Sequence, residues 1–142
     1  MTTDVALTAI EQDAMLVAAR AAMDKAYAPY SRFHVGAAVL DDKGRIHTGC
    51  NVENAAYPQG VCAEAGALSA MVLDGGNRVR AVLVMGPGDA LVTPCGGCRQ
   101  KIREFAAPDT PVLIAGDGGV RATFTLEQLL PHSFGPEHLG RS

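Results

Sequence analysis

The chain has 142 residues, 48% hydrophobic and 19% charged, with a formal net charge of -3. That length fits a single domain over residues 1–142 with a sizeable core, and an acidic balance without a Lys or Arg cluster excludes the electrostatic footprint of a nucleic-acid partner. No apolar run approaches the roughly 18 residues of a membrane span, and four cysteines behind a start, Met1-Thr2-Thr3-Asp4, that lacks a basic then apolar leader predict a reducing, cytoplasmic setting. So hydrophobic a composition on so small a surface also predicts burial between subunits.

Thr8-Ala9-Ile10-Glu11 is a capping-box pattern that opens a helix running to about Ala26, before Pro29 forbids continuation. Its apolar stripe, Ile10, Ala14, Val17 and Ala21, is blurred by Met15 and Leu16, so periodicity leaves the buried face undecided. Phe33 to Leu40 is apolar on both alternating sets, the pattern of a strand covered on both faces. Asp41-Asp42-Lys43-Gly44 turns the chain into a hairpin partner from Arg45 to about Val52, and Glu53 to Gly60 is loop. From Cys62 to Leu73 the one charged residue is Glu64, which predicts a helix buried all round that ends at Gly75-Gly76. Arg80 to Met85 is a third strand, Cys95 to Phe105 a helix behind Pro94, and Val112 to Ala115 a fourth strand parallel to the third. The Gly116-Asp117-Gly118-Gly119 turn is too short for a crossover, so Val120 to Phe124 returns antiparallel, and Thr125-Leu126-Glu127-Gln128 caps a last short helix.

The chemistry concentrates in Cys62-Ala63-Glu64 and Pro94-Cys95-Gly96-Gly97-Cys98-Arg99-Gln100. Catalytic zinc takes three protein ligands and keeps a position for water; Cys62, Cys95 and Cys98 fill that count. Glu64 sits close enough in sequence to exchange protons with such a water. Both cysteine groups fall at predicted helix starts, where free backbone N–H groups favour thiolate over thiol. Alone, Cys-x-x-Cys also marks redox pairs and structural zinc sites, and a four-cysteine site would recruit Cys50, whose spacing from Cys62 is not the short pairing of zinc ribbons. His34, His47, His132 and His138 show no ligand spacing.

The Cys-x-Glu and Pro-Cys-x-x-Cys pair resembles the zinc deaminase signature, in which a His or Cys ligand is followed two residues on by Glu with Pro-Cys-x-x-Cys downstream. Together with Phe33-His34-Val35-Gly36-Ala37-Ala38 and Asn51-Val52-Glu53-Asn54-Ala55, it resembles the cytidine deaminase family of the small homotetrameric type, over most of the chain to Phe134-Gly135-Pro136. The resemblance implies a three-layer α/β/α fold around a mixed five-stranded sheet whose last two strands are antiparallel. It implies one zinc per chain held by Cys62, Cys95 and Cys98, with Glu64 as proton shuttle. Asn51 and Glu53 would hold the ribose, Phe33 would pack near the base, and Ala63 would contact substrate. Phe134 would enter a neighbouring subunit's site. The implied reaction is hydrolytic deamination of cytidine and 2'-deoxycytidine, in pyrimidine salvage, by attack of zinc-bound hydroxide at C4. Another aminated nucleoside, a nucleoside antibiotic, or a purely structural zinc protein are the alternatives.

One position departs from the family pattern. Many relatives carry Arg directly after the catalytic Glu, against the thiolates, where this chain has Ala65. Arg99, directly after Cys98, is the candidate to offset the thiolate charge in its place. Polynucleotide deaminases of this superfamily often insert a helix before the last strand, and the short Gly116 to Gly119 turn leaves no room for it, which favours a free nucleoside.

Overall fold

A computed structural model describes residues 6–141; the start Met1-Thr2-Thr3-Asp4, read above for a leader, lies outside the described residues. The elements in chain order are α1 (Ala9–Met23), β1 (Gly36–Asp41), β2 (Ile46–Cys50), α2 (Ala63–Leu73), β3 (Val79–Met85), α3 (Gly96–Arg103), β4 (Pro111–Gly116), β5 (Gly119–Thr125) and α4 (Leu126–Leu129). The strands form one mixed sheet in the order β2-β1-β3-β4-β5. β3 and β4 are parallel and joined through α3, and β4 and β5 form the expected antiparallel hairpin.

Every residue of β1 is buried, because both faces of the sheet are covered. On one face Ala38, Leu40, Ala81, Leu83, Met85, Leu113 and Ala115 pack with Met15 and Ala19 of α1. On the other, Ala37, Val39, Val82, Val84, Val112 and Ile114 pack with Ala67, Leu68 and Met71 of α2, Ile102 of α3 and Leu126 of α4. These are the three layers.

Two helix readings are corrected. In α1 the capping box between Thr8 and Glu11 is present, but the helix ends at Met23, before the expected Ala26. Just beyond, the backbone of Tyr27 is drawn off into bonds with Asn51 O (2.9 Å) and Glu53 N (2.8 Å). The stripe read from periodicity points outward: Ile10 is 82% and Val17 71% exposed, whereas Met15 and Ala19, four residues apart, face the sheet. The second helix is buried on one side alone. Ala63, Glu64, Ala67, Leu68 and Met71 point inward, while Val72 and Leu73 stand in solvent.

Two glycines allow the helices to approach the sheet. A Cβ on Gly36 would lie 2.1 Å from Ala19 O of α1, and one on Gly49 would lie 2.3 Å from Ala63 O of α2. The second contact seats the first turn of α2, which carries Cys62 and Glu64, directly on β2.

Candidate active site

Cys62 is the N-cap of α2 and Cys95 the N-cap of α3, so two helix N-termini converge where the thiols meet. The Sγ atoms of Cys62, Cys95 and Cys98 all lie within 4.8 Å of one another, and Cys62 and Cys95 are 3.8 Å apart. Tetrahedral zinc with Zn–S bonds near 2.3 Å requires sulfur separations of about 3.8 Å, so the cluster has the dimensions of a zinc site. Cys50 is elsewhere engaged: its Sγ lies 3.8 Å from Lys25 O.

The electrostatics of the thiols would also be eased by a cation. Burial raises the Cys62 thiol, and the neighbouring Cys95 adds to that. Burial raises Cys98 strongly, with the charges of Glu64, Cys62 and Cys95 acting in the same direction. Burial would raise Cys95 as well, but hydrogen bonds from the Cys98 backbone and from the Cys62 and Cys98 thiols outweigh it, so Cys95 is lowered. Three adjacent thiols cannot all ionise unaided, whereas a divalent cation among them removes the repulsion that opposes it.

Glu64 lies in the first turn of α2, 4% exposed, and among the described residues no cation is paired with it. Burial pushes its carboxyl above the ordinary carboxylate value, partly offset by a hydrogen bond from its own backbone N–H. Burial of this kind disfavours the charged form, which makes Glu64 a stronger base than an exposed carboxylate.

A cavity of about 540 Å³ opens beside Cys62, lined by Tyr30, Ser31, Asn51, Glu53, Tyr57 and Val61 among others. Tyr30 and Tyr57 meet edge to face, 6.3 Å between ring centres, across it. Asn51 follows β2 and is locked by backbone: its Oδ1 accepts from Val35 N at 2.9 Å and its Nδ2 donates to Phe33 O at 2.7 Å. Glu53 Oε1 accepts from Tyr30 N (2.9 Å) and Ser31 N (3.1 Å), and its Oε2 accepts from the Ser31 hydroxyl. Ser31, Tyr30 and Tyr57 were not singled out from the sequence, because their roles depend on a loop being folded against Asn51 and Glu53.

Phe33 is half-exposed just before β1, and Ala63 is buried at the start of α2; neither is among the residues that line the cavity. Phe134 is exposed and stacks on His138, 5.0 Å between ring centres, and is not among the residues that line the chain's own cavity. Its carbonyl accepts from Gln100 Nε2 at 2.9 Å, which ties the C-terminal segment to α3. The Arg99 guanidinium goes to oxygens: Nε to Pro94 O (2.7 Å), Nη1 to Leu129 O (2.8 Å) and Nη2 to Thr93 Oγ1 (3.0 Å). Its hydrogen bonds therefore hold the segment leading into Cys95. Ala65 borders an apolar groove with Leu68, Ser69, Val72, Leu73 and Phe105 on the outer side of α2 and α3.

A three-cysteine cluster of zinc dimensions, a buried carboxyl on the same helix turn and an adjoining, largely apolar cavity with the polar groups of Asn51 and Glu53 in its wall define a zinc-dependent hydrolase of the three-layer α/β type. The family model for the cytidine and deoxycytidylate deaminase zinc-binding region matches residues 9–114, and the chain belongs to that family. The cytidine deaminase of Sporosarcina psychrophila is 38% identical over 130 residues, covering 92% of this chain and 96% of the relative. That of Mycobacterium tuberculosis is 42% identical over 116 residues, 82% of this chain and 84% of the relative. The crystal structure of cytidine deaminase from Burkholderia pseudomallei superposes with a TM-score of 0.80 at 41% identity, covering 86% of this chain and 98% of that one. Zinc, one ion per chain, is the cofactor that the family and the cluster together support.

Proposed function

We propose that the protein hydrolytically deaminates cytidine and 2'-deoxycytidine to uridine and 2'-deoxyuridine with release of ammonia, as a single-domain enzyme of pyrimidine salvage in the cytoplasm. The observation that carries this reading is the buried Glu64 on the same helix turn as Cys62, which itself borders a cavity that offers Asn51 and Glu53. Bound by Cys62, Cys95 and Cys98, zinc would supply a Lewis acid that makes water a nucleophile at neutral pH.

Glu64 manages the protons. It accepts one from the attacking water and delivers it to the pyrimidine N3, which makes C4 electrophilic. It then carries the second proton to the departing amine nitrogen, so that ammonia leaves as a neutral molecule. Burial makes Glu64 a better proton acceptor than an exposed carboxylate, the direction a shuttle needs.

The hydrogen-bond inventory supports the sugar roles. An amide nitrogen has two N–H bonds, and Asn51 Nδ2 uses one of them on Phe33 O. A carboxylate offers about four lone-pair sites, and Glu53 uses three. One donor and one acceptor are left, the set that a single sugar hydroxyl satisfies. Phe33 would pack against the base and Ala63 contact it from the start of α2.

Self-association into a homotetramer is supported by the apolar surface on α2, where Leu73 is 91% and Val72 51% exposed. Phe134, exposed on its own chain, would then reach a neighbouring subunit's cavity. A side-by-side absorbance assay of cytidine, 2'-deoxycytidine, cytosine and adenosine tests the reading: turnover of the first two alone is expected, and turnover of none would leave a zinc protein without this activity.

A further inference from the structure

Between the cavity and α1 lies a turn whose conformation is costly and whose hydroxyl is fully committed. Arg32, between Ser31 and Phe33, has φ 58°, in the left-handed region that side chains other than glycine rarely adopt. The strained residue is held by a bond from its own N–H to Ala28 O (2.9 Å) and by a bond that spans it, from Phe33 N to Ser31 Oγ (3.0 Å). Because Ser31 Oγ accepts from Phe33, its single proton has to be given elsewhere, and the acceptor is Glu53 Oε2. Ser31 and Tyr30 backbone N–H groups take up Glu53 Oε1. The carboxylate is thereby gripped at both oxygens by the strained turn, with one acceptor site on Oε2 remaining.

We propose that Ser31 is a positioning residue for sugar recognition: its hydroxyl locks the Glu53 carboxylate so that one acceptor site is left for the ring hydroxyl that ribose and deoxyribose share. The proposal rests on the reading of Glu53 as a sugar-binding residue. Without the Ser31 hydroxyl, Oε2 would lose its bond and Glu53 would regain rotamers, so binding would suffer while the proton chemistry at Glu64 would not. In keeping with this, the Glu53 carboxyl is held below the ordinary value, first by the Ser31 hydroxyl and then by the Ser31 backbone.

The test compares wild type, Ser31→Ala and Ser31→Thr with cytidine, 2'-deoxycytidine and 2',3'-dideoxycytidine. For Ser31→Ala the expected result is a KM raised roughly tenfold for the first two substrates, the scale of one charged hydrogen bond, with kcat within about twofold. The KM for the dideoxy substrate should not change, and Ser31→Thr, which keeps the hydroxyl, should restore wild-type behaviour. The comparison is a ratio between substrates on one preparation, so partial unfolding cancels. An equal loss on all three substrates, or no loss on cytidine, overturns the role of Ser31. A wild-type enzyme that does not distinguish cytidine from the dideoxy substrate overturns the reading of Glu53 itself, and the proposal with it.

Discussion

Seating of α2 on β2 at Gly49 positions both Cys62 and Glu64, and it can be perturbed by one methyl group. A Cβ at Gly49 would lie 2.3 Å from Ala63 O, 2.4 Å from Ala67 N and 2.8 Å from Gly66 C, all backbone atoms that cannot swing aside. Restoring ordinary contact at about 3.4 Å requires α2 to move roughly 1 Å off the sheet. Overpacking of this kind costs about 1–3 kcal/mol, which lowers the thermal midpoint of a chain this size by roughly 3–10 °C. A displacement of about 1 Å in a reacting group costs on the order of a hundredfold in kcat/KM. Gly66, on α2 across the same contact, provides the control: its Cβ would meet Gly49 Cα at 3.5 Å and nothing nearer. Gly66→Ala should therefore fold at least as well as wild type, since alanine in a helix interior is favoured over glycine by about 1 kcal/mol. Thermal unfolding and steady-state kinetics on the two variants decide it. If Gly49→Ala matches wild type in midpoint and turnover, or if Gly66→Ala is the more damaging, the packing argument is wrong.

Two further predictions concern groups at some remove from the chemistry. Asp41 is fully buried and accepts from His47 Nε2 (2.9 Å), Arg45 Nε (3.1 Å) and the backbone of Lys43 and Arg45 (2.9 Å each). Burial alone would raise its carboxyl, but the bonds from His47, Arg45 and Lys43 outweigh that and hold it below the ordinary value. Its stabilisation is therefore complete above about pH 4 and is lost as pH falls through the lowered folded value; Asp41→Ala should cost about 2–4 kcal/mol in denaturant titration at pH 7 and flatten the acid limb of stability. Arg99→Ala removes the three bonds to Pro94, Thr93 and Leu129, so zinc should be lost to a chelator at least several-fold faster, and Arg99→Lys, which lacks the fork, should not restore retention. Unchanged zinc retention and turnover in Arg99→Ala would remove Arg99 from the account.

What the sequence disclosed divides along physical lines. The parallel β3–β4 pair and the antiparallel β4–β5 hairpin follow from local signals, an intervening α3 and a tight turn after β4, whereas the long-range β1–β3 pairing that completes the sheet had none. The cysteine cluster was legible because ligand chemistry demands particular residue types at short spacing, and the burial of Glu64 because the helix around it carries no other charge. The outward face of α1 was not legible: a helix rich in alanine carries little directional signal, and the sheet selected Met15 and Ala19 over the more conspicuous Ile10 and Val17. Arg99 beside the thiolates follows from its place after Cys98, but its bonds to Pro94, Thr93 and Leu129 do not, because the last of these depends on where α4 is folded against α3. Ser31 carried no signal at all, because a serine in a loop acquires meaning when Glu53 is folded against it. Asp41, read as part of a turn, proved to be the buried anchor of the hairpin for the same reason.

The central claim is that Glu64 moves protons and does not hold the metal or the fold. Measuring zinc per chain, thermal midpoint and cytidine turnover for Glu64→Gln tests it in one preparation. One zinc per chain and a midpoint close to that of wild type are expected, because the amide fills the same buried volume, with turnover lower by at least roughly a thousandfold. Substantial turnover in a zinc-loaded, folded Glu64→Gln protein would contradict it.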